Sequence, residues 1–308
     1  MNLYKAFGLT IESSIELPEM LPLAYGIPDV TVKFDTVDTT GLAPDDSGPP
    51  DTRWWQITVS DMRTLFGCRA GVYEITDGSC VTIDPEPDTP MEILRMFLLG
   101  SALGAIQIQR GRVPLHGGAI VSNGHAIIIT GSQGAGKSTL TSALVHNGFK
   151  YLTDDVSSVE LNTKVPIVHS AYPQRKLVRD ACIQMGFNPE TLPLVDSTRD
   201  KFAIRDRNMW QEEAVPLGKL VDLVPIPEGN PLTSERIYGH TQFKLVMQSL
   251  YRIWMHTRGG DIPPAEFKKI LSIAAALETY RVYVPRGIDK ILNIAGEFAT
   301  ELQMSPNL

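Results

Sequence analysis

The chain has 308 residues, of which 43% are hydrophobic and 20% are charged, and its formal net charge at pH 7 is −7. This composition excludes intrinsic disorder, because enough apolar side chains are present to build a core. The negative net charge and the lack of a purely basic cluster argue against a nucleic-acid partner. The three cysteines show no metal-ligand spacing and are predicted to be reduced thiols.

No stretch of the sequence is predicted to cross a membrane. The nearest candidate, residues 96–106, is short and lies between Arg95 and Arg110, which is typical of a buried helix. Residues 1–7 lack the basic start and the apolar core of a signal peptide. Together these features predict a cytoplasmic location and no membrane contact.

The first 90 residues alternate between apolar and polar positions, which predicts β-strands separated by turns. The predicted strands are residues 3–11, 29–34, 54–59, 71–76 and 80–84. Residues 40–51, rich in Gly, Pro and Asp, are predicted to form an exposed loop. The pair Trp54 and Trp55 is typical of a core or a subunit interface, and the second alternative predicts a homo-oligomer. We predict an antiparallel β subdomain over residues 1–90 and a second domain over residues 91–308.

A helix over residues 90–110 is predicted to lead into the second domain. Two apolar runs, residues 116–121 and 125–130, then flank Asn123 and Gly124. An Asn-Gly pair between apolar runs is the strongest short-range signal for a β-hairpin. The strand that ends near residue 130 is therefore predicted to pair antiparallel with the strand before it.

Residues 131–138 match the complete P-loop pattern GxxxxGK[ST], between an apolar run and a helix-like segment as the motif requires. Its glycines allow backbone N–H groups to face phosphate oxygens, and the helix N-terminus adds the positive end of its dipole. Lys137 is predicted to reach the β- and γ-phosphates, and Ser138 to ligate Mg²⁺. The motif predicts ATP and Mg²⁺ as ligands. The predicted nucleotide-binding residues are Gly131, Ser132, Gln133, Gly134, Ala135, Gly136, Lys137, Ser138 and Thr139.

Two adjacent carboxylates, Asp154 and Asp155, follow the next predicted strand, residues 149–152. Side chains alternate along a strand, so we predict that only one of the pair faces the metal. Asp154 is predicted to be the general base, because a neighbouring like charge and partial burial both raise a carboxyl pKa. Asp155, with Ser138 and waters, is predicted to complete the Mg²⁺ shell. The roles of the two aspartates could be exchanged.

His116 lies one strand upstream of the P-loop strand, so antiparallel pairing is predicted to carry it toward the phosphates. Its predicted role is to orient the base, by a hydrogen bond to Asp154, or to contact the γ-phosphate. Farther along the chain, cations alternate with aspartates, and one of them is a candidate for stabilising transition-state charge or gripping a substrate carboxylate. These cations are Arg175, Lys176, Arg179, Arg199, Lys201, Arg205 and Arg207.

The rest of the sequence predicts both helices and strands, and hence an α/β fold of mixed α+β character. The predicted strands are residues 220–225 and 282–284. The predicted helices are residues 175–186, 233–254, 264–280 and 289–303.

The pair at residues 116–117, the P-loop and the pair at residues 154–155 resemble, in type and spacing, the catalytic core of the HPr kinase/phosphorylase family. The similarity covers residues 111–160 and extends to the Pro-Arg-Gly segment at residues 285–287. It implies an HPr-kinase-like P-loop domain that uses ATP and Mg²⁺ to phosphorylate a serine. The β-rich N-terminal part also resembles the HPr-kinase-like proteins encoded with lasso-peptide precursors, which phosphorylate a serine at the precursor's C-terminal end.

Residues 165–179 lack the Glu-[Ile/Val]-Arg-Gly-Leu-Gly signature that the family associates with its phosphorylase reaction. We therefore predict a kinase without phosphorylase activity, acting on a Ser of a peptide or small protein. Three alternatives stay open. The first alternative is an HPr(Ser) kinase, and the second is a small-molecule kinase whose lid is formed by residues 199–207. The third is a non-catalytic protein in which ATP orders a binding surface.

Overall fold

The computed structural model describes residues 1–40, 55–60, 62–161, 165–196, 199–257, 260–287 and 290–306. The predicted loop at residues 40–51, apart from residue 40, and the Trp54–Trp55 side chains lie outside this description. The chain forms two compact units, Met1–Val113 with Arg252–Phe267, and Pro114–Tyr251 with Lys268–Leu308. The boundaries of these two units do not coincide with the predicted domain boundary at residue 90. The helix that follows residue 90 belongs to the first unit, where the Tyr73 hydroxyl donates to the Leu94 carbonyl at 2.9 Å.

The strands, in chain order, are β1 (Asn2–Ala6), β2 (Leu9–Ser13), β3 (Leu21–Leu23), β4 (Val30–Phe34), β5 (Trp55–Ser60), β6 (Arg63–Cys68), β7 (Gly71–Thr76), β8 (Cys80–Pro85), β9 (Val113–His116), β10 (Gly118–Ser122), β11 (His125–Gly131), β12 (Lys150–Thr153), β13 (Val156–Glu160), β14 (Ile167–His169), β15 (Gln174–Val178), β16 (Leu194–Asp196), β17 (Lys201–Arg205), β18 (Val215–Ile226), β19 (Thr233–Ile237) and β20 (Glu278–Pro285). The α-helices are α1 (Met91–Phe97), α2 (Leu103–Gln109), α3 (Lys137–His146), α4 (Arg179–Gln184), α5 (Gly239–Gln248), α6 (Ile253–Thr257), α7 (Pro264–Ala276) and α8 (Ile291–Glu301). A π-helical turn, Leu98–Ala102, joins α1 to α2, and Pro189–Thr191 forms a 3₁₀ turn.

The first unit contains a sheet in the order β3-β1-β2-β4-β8-β7-β6-β5. The prediction of a purely antiparallel sheet is wrong, because β4 pairs parallel with both β2 and β8. After β2 the chain adds β3 on the far side of β1 and then returns, so it enters β4 in the same direction as β2. The predicted single strand at residues 3–11 is a hairpin, whose turn residues Phe7 and Gly8 have φ of 54° and 69°.

The predicted helix over residues 90–110 is confirmed. It is a continuous apolar helical segment that consists of α1, the π-helical turn and α2. Residues Met91–Gln109 have the length and hydropathy of a membrane span, with a mean hydropathy of 1.4, and 61% of the segment is buried. Leu98 and Ile106 are fully buried in the first unit. The Gln109 side-chain amide donates a hydrogen bond to the Ile75 carbonyl at 3.0 Å, which connects the end of α2 to β7. These contacts are typical of a core helix.

The second unit is built around a mixed sheet in the order β12-β10-β11-β18-β14-β13-β9, with β20 pairing β18 and β19. The predicted hairpin is confirmed: β10 and β11 pair antiparallel, and Asn123 and Gly124 at its turn have φ of 50° and 73°. Positive φ at both residues is what a two-residue hairpin turn requires. On its other side β11 pairs parallel with β18, which pairs parallel with β20. The mixed α/β class predicted from the sequence is observed.

Two predicted helices begin as strands, and a third, over residues 264–280, ends in β20, which begins at Glu278. Residues 175–178 belong to β15, and the helix begins only at Arg179. Residues 233–237 form β19, and the helix beyond it spans Gly239–Gln248, before the separate helix α6. In both cases pairing with a distant strand decides the conformation, β15 with β17 and β19 with β20, and local sequence carries no sign of that partner. The other predicted elements are present, with α7 ending at Ala276 and α8 spanning Ile291–Glu301.

Candidate functional site

The P-loop is a tight turn between the end of β11 and the start of α3. Gly131, Gly134 and Gly136 have φ of 142°, 79° and 92°, values that residues with a Cβ rarely adopt. At Gly131 there is also no space, because a Cβ would lie 2.7 Å from the Leu223 carbonyl oxygen on the neighbouring strand. The backbone conformation of the loop therefore depends on its glycines.

Lys137, the first residue of α3, folds back over this loop. Its Nζ donates to the carbonyl oxygens of Gly131 at 2.9 Å and Ser132 at 3.1 Å. Burial lowers the pKa of Lys137, Asp155 opposes that shift and Lys201 adds to it. A phosphate would offer this ammonium charged acceptors in place of two neutral carbonyls, and charge-assisted hydrogen bonds are the stronger kind.

The two glycines after His116 allow three chain segments to meet. A Cβ on Gly117 would lie 2.5 Å from the Ile129 carbonyl oxygen, and one on Gly118 would lie 2.7 Å from the Thr141 hydroxyl oxygen. The Gly117 N–H donates to the Asp155 carbonyl at 2.9 Å. The segments predicted to form the site, residues 116–117, the P-loop and the aspartate pair, are therefore neighbours in the structure.

Gly117→Ala is expected to destabilise the protein by about 1–3 kcal/mol, because the new methyl group meets backbone that cannot rotate away. The free energy of unfolding in urea measures this effect. The matched control is Gly296→Ala in α8, where a Cβ has no neighbouring atom within 4 Å. That change is expected to raise stability by about 0.5–1 kcal/mol through helix propensity. Equal stability of Gly117→Ala and wild type would contradict the close approach.

Asp154 is buried, with 6% of its surface exposed. Its Oδ2 accepts a hydrogen bond from the Lys176 backbone N–H at 3.0 Å, while its Oδ1 is buried and has no hydrogen-bond partner among the residues that the structure describes. Burial raises the pKa of Asp154 and outweighs the opposing Lys176 charge, and Asp155 raises it further. A buried carboxylate oxygen without a partner is rare in folded proteins and calls for an explanation such as a catalytic role or a bound ion.

Asp155 has a different environment. Its Oδ2 lies 3.0 Å from the Lys176 Nζ and its Oδ1 lies 3.3 Å from the His116 Nδ1. Burial alone would raise the pKa of Asp155, but the Lys176 ammonium and His116 outweigh it and hold the pKa below its usual value. The predicted partner of His116 was Asp154 or the γ-phosphate, whereas the structure places His116 against Asp155. Backbone pairing explains this, because residues 116–117 lie beside Asp155.

Lys176 is a residue of the site that the sequence did not single out. Its ammonium contacts Asp155, and its backbone N–H contacts Asp154. Burial lowers the pKa of Lys176, but Asp155 and its other anionic neighbours raise it well above the usual range. In the sequence Lys176 is one of a group of cations in a predicted helix. Nothing in that pattern distinguishes it from the others, since its position depends on β15 being a strand.

Part of this site fits a magnesium ion bound together with phosphates. Among the residues that the structure describes, no group of three or more His, Cys, Asp or Glu side chains could hold a metal alone. Mg²⁺ in nucleotide sites needs fewer protein ligands, because phosphates and waters fill most positions. The Ser138 hydroxyl, in the first turn of α3, is a suitable oxygen. Both oxygens of Asp155 already face cations or His116, so its predicted role as metal ligand stays a prediction.

No protein-family model and no curated protein matches the chain. Among solved structures, the chain is similar to the HPr(Ser) kinase/phosphatase from Coxiella burnetii. The similarity has a TM-score of 0.31 and a sequence identity of 13%, and it covers 62% of this chain and 93% of that chain.

Proposed function

We propose that this chain is an ATP-dependent kinase that transfers the γ-phosphoryl group to a serine hydroxyl of a peptide. The observation that carries the proposal is that one site contains a complete P-loop and a buried aspartate, Asp154, whose Oδ1 has no partner in the described part of the chain. A donor site, charge neutralisation and one group that accepts the hydroxyl proton are what phosphoryl transfer requires. A nucleotide-gated binding protein would not need that carboxylate.

Each residue of the site then has a chemical role. Asp154, with its raised pKa, accepts the proton of the acceptor hydroxyl as the oxygen attacks the γ-phosphorus. Lys137 neutralises the β- and γ-phosphates. Asp155, held between Lys176 and His116, fixes the position of the segment that carries the base. A bound Mg²⁺, with Ser138 as a ligand, would neutralise further phosphate charge.

The acceptor that we propose is a flexible peptide with a terminal or near-terminal serine, such as a lasso-peptide precursor. The resemblance of the N-terminal part to lasso-peptide-associated kinases supports this choice, as does the missing phosphorylase signature in residues 165–179. A flexible peptide loses conformational entropy when it binds, so a micromolar or weaker KM is expected.

Mass spectrometry of candidate acceptors incubated with the enzyme, ATP and Mg²⁺ tests this proposal. We expect one phosphate on a precursor peptide that ends in Ser, none on the same peptide with that Ser replaced by Ala, and none on HPr. Inorganic phosphate is expected not to reverse the reaction. Phosphorylation of HPr alone would replace our proposal with an HPr kinase. ATP binding without turnover would favour the non-catalytic alternative, and turnover only with small hydroxyl compounds would favour a small-molecule kinase.

A further inference from the structure

Most cations between residues 175 and 207 are neutralised or lie at the surface. Arg179 makes ion pairs with Asp200 and Glu190. Arg199 and Arg207 are exposed side chains. A cation that is already paired, or that lies exposed at the surface, gains little from an added anion. These three arginines are therefore poor candidates for binding a phosphoryl group.

Two more cations of the region have local partners. The Arg175 guanidinium lies over the Tyr151 ring, 5.0 Å from its centroid, and 3.8 Å from the Asp206 carboxylate. Arg205 donates from its Nε to the Gln174 side chain at 3.0 Å. Lys176 is held by Asp155, as described above. Lys201 is the remaining cation of the group.

Lys201 begins β17, on the same face of the small sheet as Lys176. In the pairing of β15 with β17, Lys201 lies opposite Val178, and Lys176 lies opposite Ala203. Positions two apart on a strand share a face, so Lys201 and Lys176 are diagonal neighbours, about 7–8 Å apart at the backbone. Because the Lys176 ammonium contacts Asp155, this face of the sheet is the one turned toward the aspartates.

Within the described ranges, the Lys201 ammonium makes no hydrogen bond or ion pair. The side chain is half-buried, and its charge acts on Lys137, Asp154 and Asp155 together. The charge of Lys201 lowers the pKa of Lys137, so the two ammonium groups repel one another. An anion with several charged oxygens would reduce this repulsion between the two ammonium groups.

We propose that Lys201 is a further catalytic residue, whose ammonium contacts the transferring phosphoryl group. The inference rests on the kinase function proposed above. In the reaction, the serine oxygen forms a bond to the γ-phosphorus while the bond from that phosphorus to the ADP oxygen breaks. The electron pair of the broken bond stays on ADP, and the serine proton passes to Asp154. Lys201 neutralises charge on the equatorial oxygens, the task that an arginine finger performs in other phosphoryl-transfer enzymes.

The test compares Lys201→Ala, Lys201→Arg and wild type in ATP turnover with an acceptor peptide and in calorimetric titration with ADP. For Lys201→Ala we expect kcat to fall by about 10²–10³, as when another preorganised charge donor is removed, while the Kd for ADP stays within about threefold. Lys201→Arg keeps the charge and is expected to recover most of the rate. The control is Lys268→Ala, which removes an exposed ammonium on α7 and is expected to change neither quantity.

The possible outcomes separate this inference from the function on which it rests. If wild type turns over ATP and Lys201→Ala matches Lys268→Ala, the role of Lys201 is refuted and the kinase function stands. Loss of ADP affinity at unchanged kcat would also refute it, since Lys201 would then serve only ground-state binding. A wild-type protein that neither binds nor consumes ATP would overturn the proposed function and this inference together. Should the alanine variant unfold, Lys201→Gln, similar in length and uncharged, takes its place.

Discussion

Lys137→Ala is expected to lower ATP turnover at least about 10³-fold, because the ammonium that neutralises the β- and γ-phosphates is lost. The fold should survive, since within the described ranges the Lys137 ammonium donates to no group but two carbonyl oxygens of its own loop. ATP consumption measures the first effect, and the midpoint of thermal unfolding measures the second. Lys268→Ala again serves as the control for removal of one positive charge. Turnover at the wild-type rate would show that the P-loop is not the catalytic site.

Asp154→Asn is expected to lower phosphoryl transfer by roughly 10²–10⁴, the usual contribution of a general base. The affinity for Mg·ATP should stay within about tenfold, since proton transfer contributes to the transition state more than to ground-state binding. An asparagine still offers an oxygen to the Lys176 N–H, so folding is expected to be preserved. Single-turnover phosphorylation and calorimetry separate the two quantities.

Asp155→Asn is the matched comparison for that variant, with the same chemical change one residue along the chain. It removes the charge that faces the Lys176 ammonium, so we expect a lower unfolding midpoint along with weaker Mg²⁺-dependent nucleotide binding. If Asp155→Asn abolished transfer while Asp154→Asn mainly weakened nucleotide binding, the two roles would be exchanged. If neither variant affected activity, the two aspartates would have only a structural role in a turn.

The parts of the site that the sequence predicted are those specified by short-range signals. The glycine spacing of the P-loop, the Asn123–Gly124 turn and the aspartates after a short strand are all readable within a few residues, and the structure contains each. The approach of His116 to the aspartate pair was also predicted, although its predicted partner was Asp154 or the γ-phosphate and the structure places it against Asp155. This approach follows from two successive antiparallel pairings, β10 with β11 and β10 with β12.

The parts that were missed depend on contacts between distant residues. Whether β4 pairs parallel or antiparallel is decided by the path of the chain through β3, and no local pattern records that path. The cations of β15 and β17 have similar sequence surroundings. Only the pairing of these two strands distinguishes Lys176, held by Asp155, from Lys201, which has no such partner among the described residues. The charge pattern of the sequence therefore indicated the region that contains the cations of the site, but it did not identify which cation contacts the aspartates.

The most direct test of the account is to follow the γ-phosphoryl group itself. The enzyme is incubated with Mg²⁺, a peptide ending in Ser, and ATP that carries heavy oxygen in its γ-phosphate, and the products are analysed by mass spectrometry. We expect the heavy phosphoryl group on the terminal Ser and ADP in equal amount, with neither product formed by Lys137→Ala. Unmodified peptide together with unconsumed ATP, or labelled free phosphate as the sole phosphoryl product, would contradict transfer to a peptide hydroxyl.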